Sequence, residues 1–309
     1  MLLKKLSLAF ACGCAFCFVS CAHSKTNEEP KKQNVVQVEP PSPPSVLVQG
    51  DENTGSIYRI NYNSKDYQNG GIVNTQKSAY VYLPAGYDEN DSSKKYPVLY
   101  LMHGVGGTES EWGLSKSNSV VKAIMDKRVA DKSVEPFIIV TPNGRSNFNF
   151  FDISFSNHQA FYSFGQELRN DLIPYIEQTF NVSSDRNHRA MAGLSMGGMQ
   201  TINIGLCESL DLISWFGAFS AAPTSYSSKK IDFMITTYFD EYPINYFYNI
   251  CGLQDGVAYG SAAQAAKNIT TVSKKFVDGK NFQWYECDGG HDFNIWYKGF
   301  EDFAQIIFK

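Results

Sequence analysis

An α/β fold, with a mostly parallel central sheet and helices on both of its faces, is predicted by two features of the chain. From about residue 56 onward, short β-type runs alternate with helix-patterned segments, the order that parallel strands joined by crossover helices require. Several of those runs are apolar at almost every position, which suits strands covered on both faces. With 309 residues and 43% apolar content, the chain has material for one large core.

At the N-terminus, Lys4 and Lys5 precede LSLAFACGCAFCFVS, an apolar stretch too short for a secure membrane span, and residues 1–20 read as an export signal. The stretch ends FVSC ahead of the polar AHSKTNEEPKK, so Cys21 sits where a bacterial lipoprotein is cleaved and lipidated. Phe18 stands where such sites usually carry Leu, and plain secretion is the alternative. Residues 21–50 are charged, then proline-rich (EPPSPPS), with no aromatic residue, which predicts a disordered tether holding the domain of residues 51–309 away from a membrane.

Within that domain, strands are predicted at SAYVYLP (Ser78 to Pro84), YPVLYLMHG (Tyr96 to Gly104), PFIIVTPNG (Pro136 to Gly144) and HRAMAGLS (His188 to Ser195). Three more follow at ISWFGAFS (Ile213 to Ser220), NYFYNICG (Asn245 to Gly252) and FQWYECDGG (Phe282 to Gly290). Helices are predicted between them at NSVVKAIMDKRVA, FGQELRNDLIPYIEQTF, MGGMQTINIGLC, KIDFMITTYF and SAAQAAKNITTVSKKFV, with IWYKGFEDFAQIIF closing the chain. In such a sheet, sites form at the carboxyl ends of the strands. The net charge of −4, with no basic run of five or more, argues against nucleic acid as a partner. Four of seven cysteines lie in the first 21 residues. Cys207, Cys251 and Cys287 fall in apolar runs without CxxC spacing, which suits buried thiols better than zinc ligands and leaves one disulfide open.

GLSMGG (Gly193 to Gly198) joins a β-type run to a helical one, the setting of a nucleophile elbow, although a glycine-rich connection has the same composition. On the first reading, Ser195 is held outward on a strained turn and the Met196 amide faces the same point near a helix N-terminus. A serine needs a base, and the base an orienting carboxylate. His291, in CDGGHDFNIW after the last strand, stands where the base falls in the chain order Ser, acid, His. Asp255, in NICGLQDG, is the best placed acid. Asp292 adjoins the base and Asp288 is still near the strand. HGVGG (His103 to Gly107) offers small residues after another strand, and Val105 is the expected second amide donor to an oxyanion.

Together, YVYLPAGYD, YPVLYLMHGVGG, FIIVTPNG, RAMAGLSMGG, the C-G-x-x-D ending of a strand and GGHDFNIW resemble the esterase D-type α/β-hydrolases, most of all the feruloyl esterase and acetyl xylan esterase modules. The likeness runs from about Ser56 to the C-terminus. It implies an α/β-hydrolase core without a large lid, no metal or organic cofactor, and attack by Ser195 on an ester carbonyl. It also implies a triad of Ser195, Asp255 and His291, oxyanion amides at Met196 and Val105, and esterified plant cell-wall xylan as the substrate. Trp296, Trp112 and His103 stand near these positions as candidate substrate contacts, and both tryptophans fit a core equally well. Phe148, Phe150, Phe151, Phe155, Phe161 and Tyr162 crowd one loop region that would wall a phenolic acyl group. Acetyl xylan, siderophore esters, S-formylglutathione and mycolyl transfer are rival substrates of the same chemistry. A binding-only surface lipoprotein is a rival of another class.

Overall fold

A computed structural model describes residues 39–309; the expected export signal, Cys21 and most of the tether lie outside the described residues. Nine strands form one sheet: β1 (Ser45–Val48), β2 (Ser56–Lys65), β3 (Asn74–Leu83), β4 (Val98–Met102), β5 (Ile138–Pro142), β6 (Arg189–Leu194), β7 (Trp215–Phe219), β8 (Tyr246–Gly252) and β9 (Phe282–Cys287). Their order is β1-β2-β3-β5-β4-β6-β7-β8-β9. The first three strands and the β3–β5 pair are antiparallel, and every pair from β5 to β9 is parallel. Every residue of β4, β5, β6 and β7 is buried, which is why those runs carry no polar alternation.

Helices cover both faces. On one side lie α1 (Val120–Ala130) and α8 (Phe293–Ala304), which bury Val121 and Met125, and Ile295, Phe300 and Phe303, against Leu99, Leu101, Ala190, Ala192 and Phe219. On the other lie α2 (Phe164–Glu167), α3 (Ile173–Thr179), α4 (Met196–Gln200), α5 (Ser228–Tyr238) and α6 (Tyr259–Ala266), followed by α7 (Ile269–Val272). Phe164, Ile176, Ile231, Ile235 and Ala262 there pack with Val98, Tyr100, Met191 and Phe216. The helical stretches predicted after Phe164 and after Met196 are continuous but wider than an α-helix over Leu168–Leu172 and Thr201–Leu206, where the turns are π-type.

Three differences from the sequence reading matter. Ser45–Val48, inside the range assigned to the tether, is an edge strand paired antiparallel with β2. The composition of the preceding EPPSPPS hides the short SVLV run. β2 itself was not expected as a strand; its ten residues bury Ile57, Ile60, Tyr62 and Ser64, an alternation that slips at Tyr58 and Arg59. The single helix expected over SAAQAAKNITTVSKKFV starts earlier, at Tyr259, and breaks between Ala266 and Ile269, where Asn268 leaves helical geometry (φ −116°, ψ 17°). The β-branched ITTV run gives little to carry the helix across it.

Candidate active site

Strand order reverses at β4, which lies between β5 and β6, and the carboxyl ends of strands at such a switch point are where sheets of this kind carry their sites. Ser195 stands there, between β6 and α4, with φ 51° and ψ −114°, a conformation side chains rarely adopt. Two close approaches demand the flanking glycines. A Cβ on Gly193 would lie 2.6 Å from the Gly197 carbonyl carbon, and one on Gly197 would lie 2.5 Å from the Met102 oxygen. Neighbours lock the turn: Ser195 N–H donates to Phe219 O at 2.9 Å, and Ser195 O accepts from Ala222 N–H at 2.9 Å and Met199 N–H at 3.0 Å.

His291 comes from the loop between β9 and α8. Its Nε2 lies 3.1 Å from Ser195 Oγ and its Nδ1 lies 2.8 Å from Asp255 Oδ2. The two loops that carry Asp255 and His291 are stitched together through Gln254, whose N–H donates to Gly289 O at 3.0 Å while its Oε1 accepts from Gly289 N–H at 2.6 Å. Burial works against the ionised Asp255, but hydrogen bonds from His291, the Ala258 amide and Ser220 outweigh it and hold the carboxyl below the usual range. Asp292, by contrast, is spent on the helix: it caps α8, accepting from Asn294 N–H at 2.8 Å. The arrangement gives a hydroxyl beside an imidazole nitrogen, with the other nitrogen oriented by a buried carboxylate. Those are the elements of nucleophilic acyl chemistry.

Met196, next to the serine in sequence, lies in one apolar cluster with Phe161, Met199 and Ala222, and Val105 packs against it. Met196 opens α4, so its amide is among the unpaired donors of that helix N-terminus. The HGVGG loop is pinned on several sides. Gly104 N–H donates to Glu111 Oε2 at 2.6 Å, and Arg145, fully buried, donates to Gly107 O at 2.8 Å and also to Val105 O. Burial raises the Glu111 carboxyl, against the neighbouring Arg145 charge. Arg145 and Glu111 were not singled out in the sequence; an arginine just past the end of a buried strand was the available signal.

The three candidate substrate contacts divide. His103 is buried, its Nδ1 donates to Gly104 O at 2.7 Å, and its Nε2 accepts from Gly144 N–H at 2.9 Å. Both ring nitrogens are therefore committed to backbone, which corrects its assignment to substrate. In a trans peptide the N–H points opposite the carbonyl, so drawing Gly104 O toward His103 turns the Val105 N–H away from it. Trp112 is also corrected: it is wholly buried, donates to Met102 O at 3.0 Å, and packs edge-on against Phe219 and Phe293. Trp296 remains at the site, almost buried, its ring 5.1 Å from that of His291 at 87°. Of the loop aromatics, Phe161 is core, whereas Phe148, Phe151 and Phe155 stand 58%, 67% and 73% exposed beyond the carboxyl end of β5. Cys207, Cys251 and Cys287 are free thiols.

Burial drives the His103 ring down to about 3, well below its usual 6.5. Between those values the unfolded chain binds a proton that the folded one refuses, so stability falls as the pH drops from about 6.5 toward 3, by up to about 1.4 kcal/mol per pH unit. Denaturant melts of wild type and His103→Gln across that range are expected to show a shallower acid loss in the variant, whose amide does not titrate.

Residues 71–228 match the Esterase family model ("Putative esterase"), a stretch that contains Ser195 and ends before Asp255 and His291. An endo-1,4-beta-xylanase/feruloyl esterase of Xylanibacter ruminicola is 30% identical over 269 residues, covering 84% of this chain and 32% of that protein. The chain thus spans about a third of that relative's length, and 13% of a second, an endo-1,4-beta-xylanase Y of Acetivibrio thermocellus. Among solved structures, a CE1 ferulic acid esterase of Anaeromyces mucronatus in complex with ferulic acid is 25% identical with a TM-score of 0.66, covering 88% of this chain and 98% of that one. The family model over residues 71–228 and a relative 30% identical across 84% of the chain, on an α/β-hydrolase fold shared with solved esterases, place this protein in the esterase family.

Proposed function

We propose that this esterase releases hydroxycinnamoyl groups, feruloyl foremost, from esters on plant cell-wall xylan, through an acyl-enzyme on Ser195. One observation carries the chemistry: His291 bridges Ser195 Oγ and Asp255 Oδ2. As Oγ attacks the ester carbonyl, His291 Nε2 takes its proton, and Asp255 supports the imidazolium through Nδ1–H. The carbonyl electrons move onto oxygen, which accepts hydrogen bonds from the Met196 and Val105 amides. The intermediate collapses, the bond to the sugar oxygen breaks, and that oxygen takes the proton from Nε2. Water then repeats the sequence, losing its proton to Nε2 as it attacks the acyl carbon and restoring the serine.

The feruloyl preference draws on the likeness to feruloyl esterases and on the exposed Phe148, Phe151 and Phe155, which supply an apolar surface for a phenolic ring. Export through residues 1–20, with lipid on Cys21, belongs to the same proposal, since a cell-wall polymer is met outside the cell. Product release from methyl ferulate, acetylated xylan and 4-nitrophenyl acetate, with Ser195→Ala as control, tests it. Efficient ferulate release that the variant abolishes is expected. Release of acetyl groups alone would overturn the acyl preference, and hydrolysis of none of the three would overturn the esterase chemistry.

A further inference from the structure

We propose that Ser220 is a positioning residue for Asp255, and that its hydroxyl is the reason a serine occupies a backbone conformation suited to glycine. The proposal rests on the reading of Ser195, His291 and Asp255 given above. Ser220 directly follows β7, is fully buried, and has φ 48°. Among the described residues only Lys132, Ser195, Ser220 and Phe308 combine a side chain with positive φ. Two of these four are therefore serines ending neighbouring strands at the site. Glycine adopts this conformation without strain, so a buried serine held in it calls for something that the side chain does.

The surroundings say what that is. Ser220 N–H donates to Ile250 O at 2.8 Å, which fixes the residue against β8. Its Oγ lies 3.9 Å from Cys251 Sγ, and Cys251 Sγ lies 3.6 Å from Asp255 Oδ2. The Cys251 thiol thus links the Ser220 hydroxyl to Asp255 Oδ2, the oxygen that faces His291. The other oxygen, Oδ1, is already occupied by Val257 N–H at 3.0 Å and Ala258 N–H at 2.8 Å. Besides His291, Oδ2 is met by the Cys251 thiol, with the Ser220 hydroxyl behind it, and its orientation falls to that pair. Burial and the Asp255 charge push that thiol up to about 12, so it stays protonated and remains a donor.

The test compares Ser220→Gly and Ser220→Ala in the full chain, with 4-nitrophenyl acetate as substrate so that acyl preference does not enter. Both variants lack the hydroxyl, but only glycine relieves the strain. In both, kcat is expected to fall about three- to tenfold with KM unchanged. The downfield proton resonance of the His291–Asp255 hydrogen bond is expected to move in both. The thermal midpoint of Ser220→Gly should lie at or above wild type, so stability and turnover part company, which a purely structural serine would not produce. Wild-type kcat in either variant overturns the proposal. Ser195→Ala, measured alongside, separates the two readings: turnover retained there removes the triad itself, whereas turnover lost there with unaffected Ser220 variants removes only the role of Ser220.

Discussion

Ser195→Ala is expected to lower kcat by about 10⁴-fold or more while leaving the fold intact. The variant loses the attacking oxygen but keeps the backbone bonds to Phe219, Ala222 and Met199 that hold the turn. It also keeps the strain, since alanine at φ 51° is no better placed than serine. Ser195→Gly is therefore expected to be as inactive but more stable, by about 1 kcal/mol, because glycine meets that geometry without a Cβ. Steady-state kinetics and denaturant melts on the two variants check both halves. Equal stability of the two would show that the elbow is not a strained serine.

Glu167→Ala is expected to cost about 3–5 kcal/mol. Glu167 is wholly buried in α2, and its carboxylate lies 2.7 Å from the ammonium of Lys77 on β3, also buried. The same carboxylate accepts from Tyr62 Oη at 2.6 Å and Ser146 Oγ at 2.5 Å. Lys77 in turn donates to Asn143 O at 2.8 Å and Arg145 O at 2.7 Å, in the loop whose Arg145 grips Val105 and Gly107. Removing the carboxylate leaves a cation and two hydroxyls without their acceptor in the core. The loss should reach the site as well, since the 143–146 loop hangs on the orphaned lysine. Chemical denaturation measures the first effect and kcat the second; a variant as stable as wild type would contradict this account of the network.

Much of this was legible beforehand because the parallel strands are buried on both faces, so apolar runs such as VLYLM and WFGAF announce themselves without any periodicity. The proposed triad was legible because local geometry constrains two of its members: the elbow needs glycines on both sides of Ser195, and His291 needs a flexible loop after the last strand. Asp255 stood out by chain order. What stayed hidden depends on contacts distant in sequence. Nothing around His103 says that its ring will be enclosed between Gly104 O and Gly144 N–H, and nothing around Trp112 says that Phe219 and Phe293 will close over it. Lys77 and Glu167 are 90 positions apart and meet only because β3 and α2 do. β1 was masked by the prolines before it.

The central claim is that one serine carries the acyl group. The most direct measurement is labelling of the protein with an activated phosphonate, followed by intact mass and peptide mapping, in wild type and Ser195→Ala. The account predicts one equivalent of label, on the peptide containing Ser195, with loss of ester hydrolysis in step with labelling and no label in the variant. Label elsewhere with activity lost, or full hydrolysis after Ser195 is labelled, would contradict it.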